Sequence, residues 1–199
     1  MLINIWATLT HLGDSYFCGD DQRAAPSMDL VVCDGLRRIT KDRQTWMVNP
    51  VWLKPGTTGQ LLLHSYATIR DARESYLMLI TPGFADVLHE VPADLVRTQL
   101  TELCRRARAF NKRFVTTLLG TPPGCPTASA QRISEWNGAV KEVTDGAGGA
   151  IADLRSIAYE KWGPSGSRAL HMPEAGALLV QAVLDSHSQS AQWQARHDS

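Results

Sequence analysis

The sequence predicts an α/β protein built on one parallel sheet with helices on both faces. Two observations carry this. Short apolar runs alternate with longer helical patterns from one end of the chain to the other. The runs through Leu77 and Val115 are continuously apolar, as suits strands covered on both sides. A sheet of about five strands is expected, within one domain over residues 1–185. Residues 186–199, rich in Ser, Gln and His, read as a frayed tail. No internal repeat and no linker divides the chain.

The first strand is the run Leu2-Ile3-Asn4-Ile5-Trp6-Ala7-Thr8-Leu9. Ser27 and Asp29 are candidate caps for a helix through about Ile39, with Leu30, Val31, Cys33, Leu36 and Ile39 as its stripe. Trp46 to Leu53 reads as a second strand, and Pro50 within it points to an edge or a bulge. Pro55-Gly56-Thr57-Thr58-Gly59 is a turn with caps, and a helix follows from Gln60 to about Arg73. Ser75 to Thr81 is a strand, ending in a loop over Pro82-Gly83-Phe84-Ala85-Asp86. Pro92 to Phe110 carries the clearest helical pattern, with Leu95, Gln99, Leu103 and Ala107 on one side. Phe114 to Gly120 is the next strand, a helix runs from about Ser129 to Val143, and Ala150 to Leu154 is the last strand. Pro173 fits the first turn of a final helix to about Leu184.

Charge sets limits on function. Lys plus Arg is 20 and Asp plus Glu is 20, so neither nucleic acid nor a membrane is expected as a partner. The basic cluster Arg105, Arg106, Arg108, Lys112 and Arg113 reads as a solvated helix end, where cations favour the helix dipole. The four cysteines, Cys18, Cys33, Cys104 and Cys125, form no Cys-x-x-Cys pair and no metal-ligand spacing. They read as reduced, mostly buried thiols, which suits a cytoplasmic protein. No basic leader with a cleavage site precedes the first strand, and no apolar run approaches a membrane span. No cofactor and no metal are expected, and homo- and hetero-oligomers both stay open.

Gly13-Asp14-Ser15 follows the first strand, so Ser15 lies just past a strand's carboxyl end. Open α/β sheets place their chemistry there. The same three residues also suit an ordinary turn and helix cap. His171, in Ala169-Leu170-His171-Met172-Pro173, lies near the other end of the chain. A serine early and a histidine late is one of the orders in which a serine hydrolase is assembled.

Four motifs in sequence order resemble those of the SGNH (GDSL-type) hydrolases, of the flavodoxin-like α/β/α class. Gly13-Asp14-Ser15 is similar to the block with the nucleophilic serine. Pro55-Gly56-Thr57-Thr58 resembles the block whose glycine lends an N–H to the oxyanion hole. Gly83-Phe84-Ala85-Asp86 resembles the Gly-x-Asn-Asp block, and Leu170-His171-Met172-Pro173 the last block. The resemblance implies a serine-dependent acyl hydrolase or acyltransferase, of esterase or thioesterase type, on a small or carrier-protein-bound acyl substrate. Ser15 would be nucleophile and His171 base, with the N–H groups of Ser15 and Gly56 as oxyanion donors. Asp14, Gly83, Phe84, Ala85 and Arg168 would border the substrate.

Two positions depart from the family pattern. Ala85 stands where the family has its oxyanion asparagine, and Arg168 where it has the aspartate three residues before the histidine. Ala85 has no side-chain donor, and a guanidinium cannot accept a proton from imidazole. A Ser-His dyad is therefore expected, oriented by another group, with Asp153 the best side-chain candidate and Asp86 or Glu174 poorer ones. Activity on simple esters is expected to be weak. The alternative is an SGNH scaffold that no longer hydrolyses esters and acts as a binding or partner subunit, or catalyses a non-hydrolytic reaction in the same pocket.

Overall fold

The computed structural model describes residues 5–14, 32, 34–36, 44–53, 57–71, 77–81, 84–109, 113–157 and 175–186. The elements are β1 (Ile5–Asp14), β2 (Gln44–Leu53), α1 (Thr58–Asp71), β3 (Leu77–Thr81), α2 (Phe84–Leu88), α3 (Ala93–Ala109), β4 (Arg113–Leu119), α4 (Thr127–Gly146) and β5 (Ala150–Leu154). Residues 175–186 form α5, and residues 32 and 34–36 are also helical. The five strands make one sheet in the order β2-β1-β3-β4-β5, parallel throughout. This is the doubly wound order whose connections reverse direction between β1 and β3.

β3 and β4 form where an apolar run is covered from both sides. β4 is buried from Phe114 to Leu119 without alternation, the pattern of a strand lined by helices on both faces. Pro50 lies in β2, at the edge of the sheet, where proline is tolerated. α1, α3 and α4 pack side by side. Right-handed crossovers put them on the face opposite helical residues 32 and 34–36. Those residues meet α5 closely: a Cβ built on Gly35 would lie 2.7 Å from Val180 Cγ2.

Several details differ from the sequence reading. β1 runs to Asp14, well past Leu9, because Thr10 to Gly13 are paired on one side by β2 and on the other by β3. Pairing on both sides buries Thr10 and His11 despite their polarity. Residues 84–88 are a short helix, not part of a loop; five residues are too few for a periodic pattern to reveal. The buried stripe of α3 is Val96, Leu100, Leu103, Cys104 and Ala107, while Leu95 is 45% exposed. The helix turns that stripe inward because α1, α4 and β4 all press on it. The last helix reaches residue 186, and Ser186 is buried.

Arg105, Arg106 and Arg113 of the basic cluster are engaged within the chain, and Lys112 lies outside the described residues. Arg105 and Arg106 both donate to Glu102, and Arg106 also donates to the Leu62 carbonyl and Ser65 Oγ. Arg113 donates to the Ser186 carbonyl, tying β4 to the end of α5. Cys104 is buried and reduced, and burial pushes its thiol up to about 12; Cys125 is partly exposed and also reduced.

Candidate active site

The carboxyl ends of β2, β1 and β3 lie side by side, in register Gly13↔Trp52 and Gly13↔Thr81. β1 ends at Asp14, so the backbone enters Ser15 at this rim. Ser15, Gly56, Gly83, Arg168 and His171 themselves lie outside the described residues. Asp14 is the last residue of β1, and Phe84 the first of α2.

α1 starts in a reciprocal cap. Thr57 Oγ1 accepts from the Gln60 N–H at 3.4 Å, and the Thr57 N–H donates to Gln60 Oε1 at 3.3 Å. This is the Thr-x-x-Gln form of the capping box, and it satisfies two donors of the first turn. A further donor, the Thr58 N–H, is met from outside the helix: it donates to Asp86 Oδ1 at 3.0 Å. The Thr58 hydroxyl donates to Asp86 Oδ2 at 2.7 Å. Trp136 Nε1, arriving from α4, donates to the same Oδ2 at 3.2 Å. Thr58 and Asp86 are fully buried, and Trp136 nearly so. Burial raises the Asp86 carboxyl above its usual range, against the lowering effect of the Thr58 and Trp136 bonds and of His89.

Ala85, beside Asp86, is completely buried. Below the rim, His11 Nε2 and Thr81 Oγ1 lie 2.8 Å apart, both fully buried, joining the ends of β1 and β3. The sequence reading had no place for His11 or Trp136 in this region, and gave Thr58 only as part of the Pro55-Gly56-Thr57-Thr58 block. The Thr-x-x-Gln spacing was the one local signal of where α1 begins. A tryptophan on a helix carries no sign that its N–H serves a carboxylate 50 residues away.

Asp153 lies in β5, opposite Leu118 of β4. It is exposed, and its carboxylate is gripped by Arg155 through Nε and Nη2 and through the Arg155 N–H. Arg155 holds it below the usual carboxylate range. β5 is three strand spacings from β1, about 14 Å at the usual interstrand distance. A recess of about 550 Å³ opens at this end of the rim, lined by Leu119, Thr121, Ser134, Asn137, Lys141 and Arg155 among others. Asn137 fixes its wall by bonding both the N–H and the carbonyl of Leu119, at 2.8 and 2.7 Å.

No protein-family model and no curated protein matches the chain. Solved structures do. Axe2, an acetylxylan esterase from Geobacillus stearothermophilus crystallised as a catalytic mutant, superposes with a TM-score of 0.73 at 13% identity, over 94% of this chain and 96% of that one. TesA superposes with a TM-score of 0.66 at 16% identity, over 90% and 97%. A lipolytic protein of the G-D-S-L family from Desulfitobacterium hafniense DCB-2 gives 0.65 at 12% identity, over 90% and 98%. The chain therefore has the fold of the SGNH hydrolases along nearly its whole length.

Proposed function

We propose that the protein is a serine-dependent acyl hydrolase of esterase or thioesterase type, or an acyltransferase built on the same chemistry. One observation carries the reading: a Gly-Asp-Ser sequence leaves β1 at its carboxyl end, beside the β1/β3 switch point, in a fold matched along its length by esterases. Ser15 Oγ attacks the acyl carbonyl while His171 takes the hydroxyl proton. The carbonyl oxygen, now an anion, is held by the N–H groups of Ser15 and Gly56. His171 returns the proton to the departing alcohol or thiol, leaving an acyl-serine. Water, or an acceptor hydroxyl, then releases the acyl group by the same steps in reverse.

The site departs on two counts from the SGNH pattern that its motifs resemble. Ala85 supplies no side-chain donor, and such a donor is typically worth about 2.7–4 kcal/mol in the transition state. Arg168 supplies no acceptor for the imidazole, and it suits an anionic part of the substrate instead. Activated acyl groups such as thioesters, small or carrier-bound, fit a two-donor hole best. The cysteine usage favours a cytoplasmic setting. Among the described residues, no helix is long and apolar enough to cross a membrane.

The experiment is kinetic and covalent. Wild type should react with a fluorophosphonate and turn over p-nitrophenyl acetate or an acyl thioester slowly. Ser15→Ala should lose both activities. Arg168→Asp should raise turnover by supplying a carboxylate to the imidazole. Equal conversion by wild type and Ser15→Ala would leave the non-hydrolytic scaffold as the better account.

A further inference from the structure

We infer that Asp86 is a positioning residue: it locks the segment that follows β2 to the segment that follows β3, so that the backbone donors around Ser15 keep one geometry. The inference rests on the esterase reading for its chemical meaning, but its structural part stands on contacts alone. Asp86 is buried, and its two oxygens accept three hydrogen bonds from two other elements. Two come from Thr58, the first residue of α1, two residues after Gly56 in the sequence. The third comes from Trp136 of α4, which anchors the carboxylate to the helix layer.

A buried carboxylate is costly to keep, and an apolar residue would fill the space at less expense. Its presence makes sense where direction matters more than stability. A carboxylate that accepts both the N–H and the hydroxyl of one residue fixes that residue's orientation, as a single bond would not. An oxyanion hole works only while its donors are preorganised, so a shift of the α1 start by a fraction of an ångström would weaken it. Ala85 sharpens the demand, because a hole without a side-chain donor depends wholly on backbone placement. In this role the carboxylate acts through Thr58 and the backbone beside it.

Three variants test this. Asp86→Asn keeps the size of the side chain but turns a donor toward Trp136 Nε1. Thr58→Val removes only the hydroxyl bond, and Trp136→Phe removes only the indole bond. Turnover of p-nitrophenyl acetate is measured with amide exchange at residues 57–61 and in β4. Asp86→Asn should lower kcat about a hundredfold and Thr58→Val at least about tenfold, with KM changed less than about twofold. Exchange at 57–61 should quicken in both, with β4 unchanged. Trp136→Phe should show the smallest loss in the same direction. Unchanged kcat in folded Asp86→Asn and Thr58→Val overturns the inference, and so does unchanged exchange at 57–61. If wild-type turnover survives Ser15→Ala, the esterase reading falls by itself, and the exchange comparison then decides the lock.

Discussion

Asp86 and Asp153 both stand near the carboxyl end of a strand, and both are candidates for a working carboxylate. Their surroundings set them apart. Asp86 is buried among neutral donors from Thr58 and Trp136, and burial raises its proton affinity. Asp153 is exposed and forked by Arg155, two residues on, which lowers it. The first carboxylate joins three elements distant in sequence; the second closes on its own turn. A strand-end aspartate is thus no single kind of residue, and its role follows from what the tertiary fold packs over it.

The largest test of this contrast is Asp86→Ala. It strands the Thr58 N–H and hydroxyl and the Trp136 N–H, each worth about 1–3 kcal/mol when buried without a partner. A loss of about 3 kcal/mol or more is expected in urea unfolding. A loss below about 1 kcal/mol would show that the rim is not organised by this carboxylate.

In the β4–β5 region the sensitive position is apolar. A Cβ on Gly149 would come within 2.2 Å of the Phe114 ring. Gly149→Ala should therefore cost about 1–3 kcal/mol, read as a lower melting temperature. Tolerance of that change would mean that Phe114 swings aside freely, against the close packing of its surroundings.

The two carboxylates should also leave opposite marks on the pH dependence of stability. Asp86 has a raised folded pKa, so the stability it contributes is full below its unfolded value of 3.8 and declines as pH rises through the folded value. Asp153 has a lowered folded pKa, so its contribution is full above 3.8 and is lost as pH falls through the folded value. The stability gap between wild type and Asp86→Asn should narrow as pH rises. The gap for Asp153→Asn should widen over the acidic range. Parallel gaps would erase the distinction drawn here.

The smallest effect is expected from Asp153→Asn at neutral pH. Its exposed pair with Arg155 is screened by solvent, and the change should stay within about 0.5 kcal/mol. If Asp153 orients His171, the same variant lowers kcat while leaving stability in that range. An unchanged kcat removes it as orienter.

Some of the molecule could be read without the structure. β5 begins and ends where its apolar run does, because Gly148-Gly149 and the polar residues after Leu154 bound it on both sides. Pro50 pointed to an edge or a bulge, and β2 is an edge strand. The caps before α1 were legible, but the helix starts at Thr58 and not at Gln60, because the reciprocal Thr57–Gln60 bonds close its first turn. What local patterns could not convey was pairing. His11 reads as polar, yet β1 is flanked by β2 and β3 and the ring is fully buried against Thr81.

The amino-acid sequence by itself determined the α/β class, the positions of the strands along the chain and the order of the motifs. These follow from apolar periodicity, turn chemistry and spacing, which act over a few residues and need no partner from afar. Only the tertiary structure decided the strand order 2-1-3-4-5, the inward stripe of α3 and the different lives of Asp86 and Asp153. Burial, dielectric environment and hydrogen bonds spanning 28 and 50 residues arise only when the elements pack, and they decide what a carboxylate can do.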